Sequence, residues 1–130
     1  LEVIMARILV VDDSHDVRLL LVAVLQRAGH EVVEATDGAS VQSWVSDAKP
    51  DLIILDLMMP GMDGWEALER LKSSPASKHI PVIIFSALNE DDDLAKARSM
   101  GAIDYVSKPW TADDLLDRIR WATTIERKSA

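Results

Sequence analysis

A chain of 130 residues with 48% hydrophobic and 28% charged residues is long enough to bury one proper core but not two. Its net charge of −8 argues against nonspecific nucleic-acid binding and against docking on anionic membrane. With 0 cysteines there is no disulfide or thiol chemistry, and no apolar run approaches the roughly 20 residues of a membrane span. No secretory signal is present, so a cytoplasmic location is expected. Met5 is a candidate natural start with Leu1 to Ile4 a cloning remnant, and a single domain with a core over about 6–125 is expected.

Taken in order, Arg7 to Val11 is apolar and β-branched and reads as a strand. It ends in Asp12 and Asp13, after which Ser14 can cap a helix whose inward face is Val17, Leu20, Leu21, Val24, Leu25 and Ala28, with Gly29 as its stop. Glu31 to Glu34 is a short strand, Asp37-Gly38 a turn, and 39–48 a weaker helix with Val41, Trp44 and Val45 inward, ended by Pro50. Leu52 to Leu55 has no polar alternation and reads as a strand buried on both faces. Asp56 stands at its end, ahead of a loop shaped by Pro60, Gly61, Asp63 and Gly64. Asp63 and Glu66 have capping-box spacing for a helix to about Lys72 that buries Ala67, Leu68 and Leu71. After a polar surface connection over 73–78, Pro81 to Phe85 is a fourth buried strand, followed by Ser86. Asn89 with Asp92 is expected to cap a helix to about Met100, stopped by Gly101. Asp104 to Ser107 is a last strand ending at Lys108-Pro109, and Thr111 with Asp114 opens a final helix burying Leu115, Ile119 and Ala122, joined by Leu116. From Glu126 onward the tail is expected to fray.

Strands alternating strictly with helices imply an α/β fold, a doubly wound parallel sheet with helices on both faces. Its site lies beyond the carboxyl ends of the strands. The polar residues at those ends are Asp12, Asp13, Asp56, Ser86 and Lys108, which should therefore converge. Carboxylates gathered in one concave site repel each other unless a proton or a cation intervenes. An all-oxygen set suits a hard divalent ion, and Mg²⁺ fits best because it takes one or two carboxylates plus phosphate oxygens. A lysine for phosphate charge, a hydroxyl donor and a carboxylate nucleophile complete what phosphoryl transfer requires.

The acid pair Asp12-Asp13, Asp56 in its loop through Gly64, Ser86-Ala87, and Tyr105 to Pro109 together resemble the receiver domain of a two-component response regulator, over essentially the whole chain. The resemblance implies a flavodoxin-like, five-stranded sheet in order 2-1-3-4-5. It implies that Asp56 accepts phosphate from a sensor histidine kinase or histidine phosphotransfer protein. Asp13, Asp56 and the Met58 carbonyl would ligate Mg²⁺, with Asp12 acting through a water. Lys108 would pair with a phosphoryl oxygen, and Ser86 would swing toward the phosphoryl group while Tyr105 turns inward, a two-state switch of contacts to a downstream effector or fused output domain. A cis Lys108-Pro109 bond is also implied. Trp110 stands where the family commonly has Phe. Met58 and Leu88, at the places flanking the hydrolytic water in the family, are both apolar, from which slow autodephosphorylation is expected.

Other features have plainer readings. His15 reads as a solvated helix-start residue, His30 and His79 as loop residues, and Trp44 and Trp121 as partial core. The acids Glu90 to Asp93 complement the dipole of the helix they begin. Leu19 and Val22, apolar but off the inward face, are expected with Pro109 and Trp110 to form the phosphodonor contact. Two rivals stand beside this reading. A haloacid-dehalogenase-type phosphatase would carry its nucleophile on the first strand as Asp-x-Asp, whereas this strand ends Asp12-Asp13-Ser14. A pseudo-receiver that never takes phosphate would bind partners only.

Overall fold

The computed structural model describes residues 5–59 and 63–129, and side chains through 124. Leu1 to Ile4, expected as a cloning remnant, the Pro60-Gly61 part of the loop expected to shape the site, and Ala130 of the tail lie outside these residues. Five strands alternate with five helices: β1 (Arg7–Val11), α1 (His15–Arg27), β2 (Glu31–Ala35), α2 (Val41–Ala48), β3 (Leu52–Leu55), α3 (Gly64–Ser73), β4 (Val82–Ser86), α4 (Asp91–Ser99), β5 (Asp104–Ser107) and α5 (Ala112–Ser129). All pairings are parallel, as the alternation of strands and helices implied, and the strand order is β2-β1-β3-β4-β5, as the resemblance to receiver domains implied.

Period-2 alternation divides each buried strand between two cores. Leu9, Val11, Ile53, Leu55, Val82 and Ile84 pack toward α2, α3 and α4 through Val41, Val45, Leu68, Leu71 and Ala97. Ile8, Val10, Leu52, Ile54, Ile83 and Phe85 pack on the other side, toward Leu21 and Leu25 of α1 and Leu115, Ile119 and Ala122 of α5. A strand with apolar residues on both faces cannot alternate with polar ones, which is why the central runs look continuous.

Helix ends follow local chemistry. The Ser14 side chain accepts from the Val17 amide and that of Asp63 from the Glu66 amide, both as N-caps. Gly29, at φ 94°, makes the left-handed turn that lets the chain leave α1 for β2.

Several boundaries and faces depart from the sequence expectation. α2 starts at Val41 rather than residue 39, because the Asp37 carboxylate accepts from the Ser40 amide at 2.8 Å and holds 37–40 in a turn. α4 starts at Asp91 after an N-cap at Glu90, not at Asn89, with no side-chain cap bond. Three acids in its first turn offset the exposed amides instead. α5 runs to Ser129, with no glycine or proline to interrupt it. Leu20, expected inward, is 55% exposed, because the buried stripe of α1 is the narrower pair Leu21 and Leu25. Trp44 and Trp121, expected as partial core, are 37% and 50% exposed.

Candidate functional site

Register places the strand-end residues side by side. Val11 pairs with Leu55, and the Asp56 amide donates to the Val11 carbonyl at 2.9 Å, so Asp56 emerges next to Asp12. Ser86 pairs with Ser107, and the Lys108 amide donates to the Ser86 carbonyl at 3.0 Å, which brings Lys108 to the same edge. Asp12, Asp13 and Asp56 each offer a carboxylate oxygen within 4.8 Å of the others. Lys108 Nζ lies 3.7 Å from Asp12 Oδ2 and 5.2 Å from the centre of the Phe85 ring.

These carboxylates differ in their surroundings. Asp12 and Asp56 are buried while Asp13 is exposed. Asp12 Oδ1 accepts from the Ser14 amide at 2.9 Å, but Asp12 Oδ2 is buried with no hydrogen-bond partner. Among the described residues it is the one buried side-chain oxygen so left, and the ammonium at 3.7 Å is beyond hydrogen-bond range. An orphaned carboxylate oxygen facing two more carboxylates is the donor set a hard divalent cation satisfies. Asp56 Oδ1 accepts from the Met58 amide at 3.1 Å. Burial pushes the Asp56 carboxyl up to about 6; the Met58 hydrogen bond and Lys108 oppose this, while Asp12 and Asp13 add to it.

The Ser86 hydroxyl is fully buried and accepts from the Leu88 amide at 3.2 Å. Tyr105 is inward, 6% exposed, and its phenol donates to the Leu88 carbonyl at 2.6 Å. Burial raises the Tyr105 pKa, with the neighbouring Ser86 hydroxyl pulling the other way and Asp93 and Asp56 adding to the rise. The Lys108-Pro109 peptide is cis. Trp110 packs edge-on against Phe85, ring centres 5.3 Å apart.

Three contributions rest on contacts that the sequence pattern does not encode. Arg18 donates to the Asp12 carbonyl at 2.7 Å and pairs with Glu34 at 3.2 Å, tying the acid pair to β2. Gly64 presses on the exit of β3: a Cβ there would stand 2.2 Å from the Asp56 carbonyl oxygen. Leu88 serves Ser86 and Tyr105 through its backbone, which no side-chain pattern encodes. Capping-box spacing flagged Asp63 but not the reason its neighbour must be glycine.

Near this edge an apolar groove of about 430 Å³ is lined by Val17, Leu20, Val24, Pro109, Trp110 and Ala112, with Lys108. Leu19 is 61% exposed and Val22 half-buried, and neither lines the groove. The residue of α1 that does so from an exposed position is Leu20.

Residues 8–120 match the family model of the response regulator receiver domain. The chain belongs to that family. As a receiver domain it is a phosphoacceptor of two-component signalling, and the phosphatase alternative is not favoured. It is 37% identical over 113 residues to the phosphate regulon transcriptional regulatory protein PhoB of Pseudomonas aeruginosa, covering 87% of this chain and 49% of that protein. It is 35% identical over 114 residues to sporulation initiation phosphotransferase F of Bacillus subtilis, covering 88% and 90%. The receiver fold superposes on the crystal structure of Vibrio cholerae chemotaxis protein CheY4 with a TM-score of 0.85 at 29% identity, covering 92% and 99%. The chain thus spans about half the length of some relatives and nearly all of others. No helix among the described residues is long and apolar enough to cross a membrane.

Proposed function

We propose that Asp56 is the phosphoacceptor and that a histidine kinase or histidine phosphotransfer protein is its donor. A carboxylate oxygen of Asp56 forms the new P–O bond as the P–N bond of the donor phosphohistidine breaks, and the imidazole leaves with the electron pair of that bond. The observation that carries this reading is the cluster of Asp12, Asp13 and Asp56 with Lys108 at one sheet edge.

Asp12, Asp13 and Asp56, with the Met58 carbonyl, would hold Mg²⁺, whose charge when bound offsets that of the phosphoryl oxygens. The chain's own residues do the rest. Above about pH 6 the Asp56 carboxyl is mostly ionised and nucleophilic. The Lys108 ammonium turns from Asp12 to a phosphoryl oxygen. The Ser86 hydroxyl, which accepts from Leu88, keeps its own proton to donate to another. Motion of Ser86 is felt by Tyr105 through their shared neighbour Leu88, and so reaches the α4 and β5 surface that a downstream effector or output domain would read. Leu19, Val22, Pro109 and Trp110, joined by Leu20, form the donor-docking surface. The acyl phosphate hydrolyses slowly, and the domain works in the cytoplasm.

The deciding experiment is intact mass after acetyl phosphate, with and without Mg²⁺, in the wild type and in Asp56→Asn. One added phosphoryl mass that needs Mg²⁺ and is absent in Asp56→Asn is expected. Equal labelling of the variant would refute the assignment, and no labelling of the wild type would favour a pseudo-receiver.

A further inference from the structure

At the opposite end of the sheet, where β4 and β5 begin, a second cleft of about 850 Å³ opens between the α3–β4 connection, the end of α4 and the flank of α5. Lys78, His79 and Arg98 line it together with the Trp121 ring. This volume lies within the range of small-molecule sites. Its charge is the reverse of the protein's: in a chain of net charge −8, neither Lys78 nor Arg98 has an ion pair among the described residues. The acid in the cleft, Asp104, is already committed to Arg118 at 2.6 Å. One wall is braced, because the Lys72 ammonium donates to the Lys78 carbonyl at 3.2 Å and to that of Ile80 at 2.7 Å. Trp121 leaves half of a large aromatic side chain open to solvent on the same cleft.

Uncommitted cations beside an open indole match two parts of one ligand. Guanidinium and ammonium groups take phosphate oxygens, and an indole face stacks on a planar heterocycle. We propose that this cleft binds a nucleoside phosphate, its base on Trp121 and its phosphates on Lys78, His79 and Arg98. The site is separate from the acid cluster and does not depend on the acceptor role of Asp56.

Calorimetric titration of the whole chain in EDTA at low salt, with ADP, adenosine and pyrophosphate as probes, tests it. ADP should bind once per chain with Kd below about 1 mM. Adenosine and pyrophosphate should each bind about tenfold more weakly, since stacking or charge alone is then left. Trp121→Ala should remove the preference for ADP over pyrophosphate, and Arg98→Ala or Lys78→Ala should weaken ADP several-fold. All three side chains are exposed, so unchanged urea midpoints should show that the fold is intact. Trp121→Ala should still take label from acetyl phosphate at Asp56, which separates failure here from failure of the acceptor assignment. No saturable ADP binding, ADP binding unaltered by Trp121→Ala and Arg98→Ala, or tighter binding of a polyglutamate peptide than of ADP would each overturn the proposal.

Discussion

The Tyr105 phenol donates to the Leu88 carbonyl at 2.6 Å, while the amide of the same Leu88 donates to the Ser86 hydroxyl at 3.2 Å. One residue's backbone therefore reads two side chains on neighbouring strands. Tyr105→Phe keeps the ring but leaves a carbonyl short of its donor. Equilibrium urea unfolding should show a loss of about 1–2 kcal/mol. Labelling of Asp56 by acetyl phosphate should persist in this variant, since Tyr105 is absent from the acid cluster.

Asp56 gives a pH dependence whose sign is definite. Its folded pKa, about 6, lies above its ordinary 3.8. The favourable contribution of the neutral carboxyl is thus fully present below about pH 4 and is lost as pH rises through 6. In EDTA at pH 7.5, Asp56→Asn should be more stable than the wild type by about 1–2 kcal/mol, allowing for solvent screening, and the gap should close by about pH 4. Mg²⁺ should stabilise the wild type more than the variant. Urea midpoints across pH, with and without Mg²⁺, check both statements.

Gly64 tolerates no side chain. A Cβ at 2.2 Å from the Asp56 carbonyl oxygen and 2.3 Å from Leu57 Cα meets backbone, which cannot move aside as a flexible side chain would. Gly64→Ala should displace the loop after β3, cost about 2 kcal/mol or more in urea unfolding, and slow acetyl-phosphate labelling.

The phosphate's lifetime depends on what surrounds it. Met58 is 57% exposed and Leu88 is half-buried against the core. Met58→Asn with Leu88→Glu should shorten the acyl phosphate's half-life about tenfold, a change of 1.4 kcal/mol in barrier. Because Leu88 has packing to lose, Met58→Asn alone should shift the half-life in the same direction. A longer half-life in the double variant would contradict the apolar brake.

The proposed donor surface should be separable from the chemistry. Leu20→Ser removes the exposed leucine of the groove and should reduce transfer from the cognate donor about tenfold. Leu19→Ser with Val22→Ser should reduce it less, as neither side chain lines the groove. Acetyl-phosphate labelling should stay unchanged in both; a parallel fall would argue against docking.

The sheet and most elements were legible because apolar runs bounded by Asp12, Asp56, Ser86 and Lys108 carry both strand positions and polarity at the strand ends. Parallel register then brings those ends to one edge without further information. What the sequence concealed depends on packing in three dimensions. Leu20 belongs to the same helical stripe as Leu21 on paper, but the neighbouring sheet covers only part of that stripe. The start of α2 hinged on one carboxylate choosing the Ser40 amide. Arg18 looks like any helix-surface cation until Asp12 and Glu34 are brought to it from separate strands.

The Arg18 tie also has a kinetic side. β2 is an edge strand, held to the sheet by a single ladder with β1. Edge elements open locally at lower free energy than the strands between them. Since Arg18 spans Glu34 on that strand and the Asp12 carbonyl, each excursion of β2 loosens the backbone that aims the acid pair. Amide exchange along β2 and the off-rate of a divalent ion from the acid end should therefore rise and fall together, making one edge strand of the sheet the pacemaker of its charged end.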